Sequence, residues 1–191
     1  MPDINKLGLK ICRLREMREM TLEQLAEQSN CHIDLLSRIE AGDEIPSLAP
    51  LMNIARALGM RLGTLLDDEP HEGALVIRGG QSKDVIRFSG QTPHDEGSNL
   101  AFHSLGAGKQ DRHMEPFVIE VEPSTAETPA LSTHEGEEFI YVLDGHIEIN
   151  YGQAVYQLEP GDSIYYDSIV PHNVHATGST ARILAVVYAP F

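Results

Sequence analysis

The chain has 191 residues, of which 41% are hydrophobic and 23% are charged, and its formal net charge is −15. This composition is that of a globular protein, and the length allows one large domain or two small ones. There is no run of about 18 apolar residues, so the sequence predicts no membrane-spanning helix. The start of the sequence does not have the pattern of a signal peptide. Two cysteines are too few for a disulfide framework, so the sequence predicts a cytoplasmic protein.

The negative charge is unevenly distributed along the chain. Residues 1–66 contain eight basic and nine acidic side chains, whereas residues 70–191 contain six basic and seventeen acidic ones. Because DNA affinity depends on Lys and Arg that contact phosphates, only the N-terminal part could present a local basic face to DNA. The asymmetry indicates two domains with different functions.

Residues 4–66 have the hydrophobic periodicity of short α-helices. Thr21 and Gln24 match a capping box, which predicts a helix that starts directly after Thr21. Gly42 is a favourable helix end, and Ser47 is a favourable N-cap for the helix that follows. We therefore predict five short helices that form a compact all-α domain. Its predicted core positions are Leu7, Ile11, Leu14, Leu22, Leu25, Ala26, Leu36, Ile39, Leu51, Ile54, Ala55 and Leu58.

The pattern changes after this helical segment. Residues 67–73 are acidic, contain Pro and Gly and have no apolar side chain, so they predict a linker. From residue 74 onward the sequence predicts short strands separated by turns. The stretch Phe139–Leu143 is apolar on both faces, as in a strand between two packed layers, and Asp144-Gly145 predicts a hairpin turn. About nine to eleven strands without an intervening helix indicate a barrel or jelly roll over residues 74–191.

Several stretches of the helical segment have the order and spacing of a known DNA-binding domain. They are Arg13-Leu14-Arg15-Glu16, Thr21-Leu22-Glu23-Gln24-Leu25-Ala26-Glu27, Leu36-Ser37-Arg38-Ile39-Glu40-Ala41-Gly42, Pro46-Ser47-Leu48 and Ile54-Ala55-Arg56-Ala57-Leu58-Gly59. Together these residues resemble the phage-repressor type (XRE-like) of helix-turn-helix transcriptional regulator. The resemblance implies that residues 32–40 form a recognition helix that enters the major groove of double-stranded DNA.

The resemblance also assigns DNA-contacting positions. Asp34 would bring a negative charge near the phosphates and Ile33 offers no hydrogen bond, so a helical unit used only for oligomerisation is the alternative. Arg38 can donate paired hydrogen bonds to guanine or bind a phosphate, and Ser37 can contact either. The implied groove contacts are His32, Ile33, Asp34, Ser37 and Arg38, and the implied phosphate contacts are Thr21, Arg13 and Arg15.

The C-terminal segment contains two motifs that resemble those of the cupin superfamily. The first comprises His134, Glu138 and Gly145, and the second comprises Pro160-Gly161-Asp162 and Pro171-His172. The chain departs from the cupin pattern twice. Ser132 stands where the first histidine is usual, and Ala176 stands where the second motif usually ends in asparagine. The resemblance covers about residues 74–191 and implies a small all-β jelly-roll barrel.

The residues of these motifs also predict a metal site. His134 and Glu138 share strand parity, but in a straight strand they would be about 13 Å apart, so Gly136 between them would have to supply a bend. With His172 they would provide two imidazoles and one carboxylate, a set that suits Fe(II), Mn(II), Ni(II) or Zn(II). The alternative is a set of hydrogen-bonded histidines that hold no metal. The predicted lining of an effector pocket beside this site is Ser132, Ile140 and Val142.

The predicted fold is therefore a two-domain α plus β protein, with a helix-turn-helix domain in residues 1–66, a linker in residues 67–73 and a cupin domain in residues 74–191. The function that this arrangement favours is transcriptional regulation, in which the cupin barrel binds a small effector. A homodimer or higher oligomer would place two recognition helices about 34 Å apart, one turn of DNA. No residue is assigned a catalytic role in this interpretation.

An enzyme is the alternative, because the chain also resembles the hydroxypropylphosphonate epoxidases in both domains. That resemblance implies that His134, Glu138 and His172 hold non-haem iron. Other positions differ: Glu19 stands where that group has a catalytic lysine, and Phe102 stands where it has an active-site tyrosine. Cationic anchors for a phosphonate would have to come from Lys109 and Arg112. A third interpretation is ligand storage or metal buffering, with a helical domain that no longer binds DNA.

Overall fold

The computed structural model describes residues 4–44, 46–66, 74–79, 83–89, 99–109, 112–123 and 131–188. The helices are α1 (Ile4–Met17), α2 (Leu22–Ser29), α3 (Ile33–Ala41), α4 (Leu48–Ala57) and α5 (Leu62–Leu66). The strands are β1 (Lys83–Ser89), β2 (Asn99–Ser104), β3 (Met114–Val121), β4 (Glu137–Asp144), β5 (Ile147–Tyr151), β6 (Ala154–Leu158), β7 (Ser163–Asp167), β8 (His172–Ala176) and β9 (Ala181–Tyr188). The predicted linker, residues 67–73, lies outside the described residues, so the domain boundaries stay a prediction.

The helix boundaries follow from local sequence signals. Thr21 Oγ1 accepts a hydrogen bond from the Gln24 amide at 3.2 Å, and Gln24 Oε1 accepts one from the Thr21 amide at 2.7 Å, so the predicted capping box is present. Helix α3 ends at Gly42, whose φ of 79° lies in the left-handed region that favours glycine. Ser47 precedes α4 as predicted, but its side chain makes no capping hydrogen bond.

The helices pack around one apolar core. Ile11, Leu25, Leu36, Leu51 and Leu58 are fully buried. Helix α1 approaches the end of α3 closely at Gly8, where an added methyl group would lie 3.0 Å from the carbonyl oxygen of Glu40 and closer still to that of the preceding residue. Only glycine fits at this contact, so Gly8 fixes the distance between α1 and α3.

The strands form two antiparallel sheets, as the cupin-type barrel prediction requires. Six strands have the order β1-β2-β3-β9-β4-β7, and three strands have the order β6-β5-β8. The alternating residues Phe117, Ile119 and Val121 of β3 are buried, and so are Ile147 and Ile149 of β5. The predicted fold class, five helices followed by an all-β barrel, is confirmed. Among the described residues no helix has the length and apolar character to span a bilayer.

Two local predictions in the barrel are wrong. Strand β4 is buried on one face only: Ile140 and Val142 are 1% exposed, whereas Tyr141 and Leu143 are 38% and 40% exposed. The large side chains on the outer face of β4 are therefore partly exposed to solvent. The Asp144-Gly145 turn is not a hairpin, because β4 pairs with β7 and β9 while β5 pairs with β6 and β8. The turn instead carries the chain from one sheet to the other.

Among the described residues, two contacts join the helical and β domains. Gly63 of α5 lies against the ion pair between Arg112 and Glu115, and a methyl group on Gly63 would be 2.5 Å from Glu115 Oε1. Arg56 of α4 forms a salt bridge with Glu135, the residue after His134. The second contact connects the helical domain to the loop that carries a predicted metal ligand.

Candidate metal centre and DNA-binding face

The predicted bend between His134 and Glu138 is present. His134 precedes β4, and Gly136 has a φ of 105°, a conformation that favours glycine. The loop is held to the segment after β7, because the His134 amide donates to the Ser168 carbonyl and the Ser168 amide donates to the Gly136 carbonyl, both at 3.0 Å. As a result His134 Nε2 lies 2.7 Å from Glu138 Oε1, far less than a straight strand would allow.

His172 completes the cluster from the start of β8. Its backbone exchanges two hydrogen bonds with that of Ser132, at 2.7 and 2.9 Å, which hold the strand beside the loop. His172 Nε2 lies 3.4 Å from Glu138 Oε1. His134, Glu138 and His172 are only 4%, 7% and 4% exposed.

The donor geometry fits a single metal ion. The ligand atoms of His134, Glu138 and His172 all lie within 4.8 Å of one another. Two donors that each lie about 2.1 Å from one ion are about 3.0–3.4 Å apart in octahedral or tetrahedral geometry. The observed 2.7 and 3.4 Å separations from Glu138 Oε1 bracket that range. The three residues are the two-histidine, one-carboxylate set that leaves further coordination positions open.

The outer nitrogen of each imidazole faces a backbone carbonyl. His134 Nδ1 is 3.2 Å from the carbonyl oxygen of Glu135, and His172 Nδ1 is 2.8 Å from that of Val170. A proton on Nδ1 can donate to these carbonyls, while Nε2 faces Glu138 Oε1 and donates to it when protonated. A bound metal would take the place of that Nε2 proton. In both histidines Nε2, and not Nδ1, is therefore the nitrogen that a metal at the centre of the cluster could reach.

Charge is concentrated at the centre of this cluster. Burial acts to raise the pKa of Glu138, but the hydrogen bonds from His134 and His172 outweigh it and hold that pKa well below its usual range. Burial acts to lower the pKa of His172, but the adjacent Glu138 carboxylate raises it above its ordinary value. Glu138 is thus an ionised carboxylate in an apolar barrel, a position that a divalent cation can neutralise.

Two further contacts to Glu138 were missed by sequence reasoning. Tyr166 donates its hydroxyl to Glu138 Oε2 at 2.8 Å, and Ser168 donates to Glu138 Oε1 at 3.3 Å. Burial first, and then the Glu138 charge, raise the pKa of Tyr166, so its phenol stays protonated and acts as a donor. Tyr166 lies directly opposite Glu138 in the β4–β7 register, which the sequence shows only once that pairing is known.

The predicted effector-pocket residues lie near the cluster. Ile140 and Val142 are on the same buried face of β4 as Glu138, and the Ser132 backbone pairs with His172. These positions stay a prediction as ligand contacts. A groove of about 600 Å³ lies between β6 and β7, with Tyr151, Tyr156, Tyr165 and Tyr166 in its wall.

Helix α3 presents the predicted DNA-binding side chains on its outer face. Leu36 and Ile39 are buried, whereas Asp34, Ser37 and Arg38 are exposed. Arg38 is not free in this state, because its Nε is 2.5 Å from Glu44 Oε2. This separation of the two faces is what a recognition helix requires.

The remaining predicted contacts differ in their surroundings. His32 is the exposed N-cap of α3 and accepts a hydrogen bond from the Asp34 amide, and Ile33 is half-buried. Thr21 and Arg13 are exposed.

Arg15, also a predicted phosphate contact, is paired within the helical domain. Glu40 of α3 accepts from Arg15 Nε and Nη2, each at 2.7 Å, and the Met20 carbonyl accepts from Nη1 at 2.9 Å. The guanidinium therefore braces α1 against α3 rather than facing solvent.

Comparison with known proteins supports both halves of this description. A helix-turn-helix domain model matches residues 6–68, and a cupin domain model matches residues 117–187. The chain therefore contains a helix-turn-helix domain followed by a cupin domain. A similar protein is the HTH-type transcriptional regulator PuuR of Escherichia coli, which is 22% identical over 174 residues that cover 90% of this chain and 88% of PuuR.

An enzyme is also among the similar proteins. Methylphosphonate synthase of Nitrosopumilus maritimus is 27% identical over 169 residues, which cover 85% of this chain but only 35% of the synthase. This chain thus spans about a third of that enzyme's length.

Two solved structures share the fold over nearly the whole chain. An HTH_3 family transcriptional regulator from Vibrio cholerae has a TM-score of 0.68 and 22% identity, covering 99% of this chain and 98% of its own. The Fe(II) form of HppE has a TM-score of 0.51 and 22% identity, covering 97% and 100%. At this identity the likeness establishes the fold.

Proposed function

We propose that the protein is a sequence-specific DNA-binding transcriptional regulator whose cupin barrel binds a small effector through a divalent metal. The observation that carries this proposal is the outer face of α3, where Ser37 and Arg38 are exposed to solvent while Leu36 and Ile39 anchor the helix in the core. Both side chains reach solvent without any change in helix packing, and Arg38 has to leave only its ion pair with Glu44 to contact DNA. PuuR, a transcriptional regulator whose sequence aligns with 90% of this chain, supports the same interpretation.

The proposed DNA contacts are assigned from the solvent exposure of side chains on and next to α3. His32, Asp34, Ser37 and Arg38 of the α3 segment face the major groove, with Ile33 at its margin. The proposed phosphate contacts are Arg13 and the amide groups at the start of the helix that Thr21 caps. The protein acts as a homodimer that places two α3 helices about 34 Å apart on DNA.

The proposed metal is Fe(II), Mn(II), Ni(II) or Zn(II), held by His134, Glu138 and His172. When bound, such an ion supplies open coordination positions for an oxygen or nitrogen atom of the effector. The residues of the barrel place the effector: Ile140 and Val142 form an apolar wall, and Ser132 lies beside His172.

The contact between Arg56 and Glu135 is the proposed route from the barrel to the DNA-binding domain. The Glu135 carbonyl is the partner of His134 Nδ1, and its carboxylate is the partner of Arg56 on α4. A change in the position of His134 therefore shifts an anchor of the helical domain. The side chains of Arg56 and Glu135 are 37% and 50% exposed, so this salt bridge carries about 0.2–1 kcal/mol, which limits its effect on DNA affinity to about fivefold.

The proposal is tested by DNA binding of the full chain. Fluorescence anisotropy with a fragment from upstream of its own gene should show affinity that falls steeply as salt rises. Arg38→Ala should weaken binding about 5- to 150-fold. Arg182→Ala, which removes an exposed arginine from β9, is the matched control and should have no effect.

Failure to bind that fragment is resolved by genome-wide mapping of bound sites in the native organism. Absence of any enriched site, or equal losses for both arginine variants, would overturn the regulator proposal. Enriched sites would identify the genes that the protein controls.

A second candidate function, a non-haem metal-dependent enzyme of the hydroxypropylphosphonate epoxidase type, is favoured by the His134, Glu138 and His172 set. Two residues oppose it. Arg112 is bound to the buried Glu115 at 2.7 Å and so is not directed at a substrate anion, and Phe102 is a core residue that packs edge-on against Phe117. The test is oxygen or peroxide consumption by the Fe(II)-loaded protein with hydroxypropylphosphonate. Turnover above that of a His134→Ala variant would establish the enzyme instead.

A further inference from the structure

The two oxygens of the Glu138 carboxylate have different surroundings. Oε1 faces both imidazoles, at 2.7 Å from His134 Nε2 and 3.4 Å from His172 Nε2. Oε2 instead accepts the hydroxyl of Tyr166 at 2.8 Å. The carboxylate is thus held in one orientation, with a single oxygen directed at the position that a metal would take.

From this arrangement we infer that Tyr166 is a positioning residue that restricts Glu138 to monodentate binding of a metal through Oε1. The inference rests on the metal site of the proposed function and adds how that site sets its coordination number. For Oε2 to bind the ion as well, the carboxylate would have to turn from its present orientation, which would distort or break the Tyr166 hydrogen bond at a cost of up to about 1–3 kcal/mol. Monodentate binding keeps one more coordination position for an effector.

The surroundings of Tyr166 hold its hydroxyl in place. Tyr166 pairs directly with Glu138 across the β4–β7 register, so both side chains point to the same face. Its ring lies 5.1 Å from that of His172 and 5.2 Å from that of Tyr151, and its side chain is buried. Ser168, also fully buried, adds a weaker contact to Oε1 at 3.3 Å. Rotation of the carboxylate would break both hydrogen bonds.

Tyr151 provides a matched control. Its hydroxyl donates to the Asp167 carbonyl at 3.2 Å rather than to Glu138, and its ring belongs to the same aromatic group. Tyr166→Phe and Tyr151→Phe each remove one phenolic oxygen, but only the first removes a bond to Glu138. A role in packing alone would affect the two variants alike.

The experiment measures Co(II) binding to the full chain by competition with a fluorescent chelator, together with the visible spectrum of the bound ion. Tyr166→Phe should weaken Co(II) binding at least about tenfold, as loss of a hydrogen bond to a ligand commonly does. It should also change the spectrum, because the freed Oε2 alters the coordination geometry. Tyr151→Phe should match the wild type in both.

Each other outcome is decisive. Wild-type affinity and spectrum in Tyr166→Phe would overturn the inference, as would equal losses in both variants with unchanged spectra. If wild-type protein binds no Co(II), the metal site of the proposed function fails, and this inference fails with it. Should Tyr166→Phe fold only when Co(II) is present, its spectrum still distinguishes monodentate from altered coordination.

Discussion

Replacing Glu44 by Gln should strengthen DNA binding, because Glu44 competes with DNA for Arg38. In the DNA-free protein Arg38 Nε is 2.5 Å from Glu44 Oε2, and the two side chains are 47% and 17% exposed. For DNA to use Arg38, this ion pair must break. A partly exposed surface pair of this kind contributes about 0.2–1 kcal/mol, so its removal should lower the dissociation constant about 1.4- to 5-fold.

Two comparisons separate this effect from a general change in charge. Asp43→Asn removes the same charge one residue away and should give a smaller gain, because Asp43 is not the partner of Arg38. In an Arg38→Ala background, Glu44→Gln should have little further effect, since the competition is already absent.

The assay is fluorescence anisotropy on the promoter fragment at a series of salt concentrations, with circular dichroism as a check of folding. If Glu44→Gln weakens binding in a folded protein, or strengthens it equally with and without Arg38, then Arg38 does not contact DNA as proposed.

Three further predictions concern the helical domain. Gly8→Ala should destabilise this domain by about 1–3 kcal/mol, because the added methyl group meets rigid backbone of α3. Calorimetry should show a melting temperature that is lower by several degrees. Gly79→Ala, which adds a methyl group in open space, should leave the melting temperature unchanged. Arg15→Met should lower the free energy of unfolding in urea by about 2–4 kcal/mol, because it leaves Glu40 buried without its partner. Adding Glu40→Leu should recover much of that loss of stability. A double variant that is less stable than Arg15→Met alone would refute the reasoning. Burial raises the pKa of the Cys31 thiol. At pH about 8.5 iodoacetamide should therefore modify Cys31 more slowly in the folded protein than in the urea-unfolded protein. Equal rates of modification would contradict this prediction.

The helical domain was predictable because its signals are local. Thr21, Gln24 and Gly42 carry the caps of their own helices, and the apolar periodicity identified Leu36 and Ile39 as core positions. The surroundings of Arg15 were not predictable, because its partner Glu40 lies 25 residues away on another helix. A basic side chain in an N-terminal helix has the same local sequence signal whether it faces solvent or a buried carboxylate.

In the barrel, too, the features with local sequence signals were predictable and the contacts between distant residues were not. His134, Glu138 and His172 were recognised from motif spacing, and Gly136 indicated where the bend had to be. The partner of each strand was not encoded locally. Asp144-Gly145 has the composition of a hairpin turn, yet sheet membership is decided by which edges meet when both layers pack. The hydroxyl of Tyr166 reaches Glu138 only because β7 is the neighbour of β4.

The position of β9 has a consequence for how the protein is made. This strand pairs with β3 on one side and β4 on the other, so it joins the two parts of the six-stranded sheet. On the ribosome the helical domain can fold from contacts that are already synthesised, and local contacts form fast. The barrel cannot close until residues 181–188 have emerged, and until then the edges of β3 and β4 that pair with β9 are exposed to other chains. The helical domain of each new molecule can therefore fold before the barrel is complete.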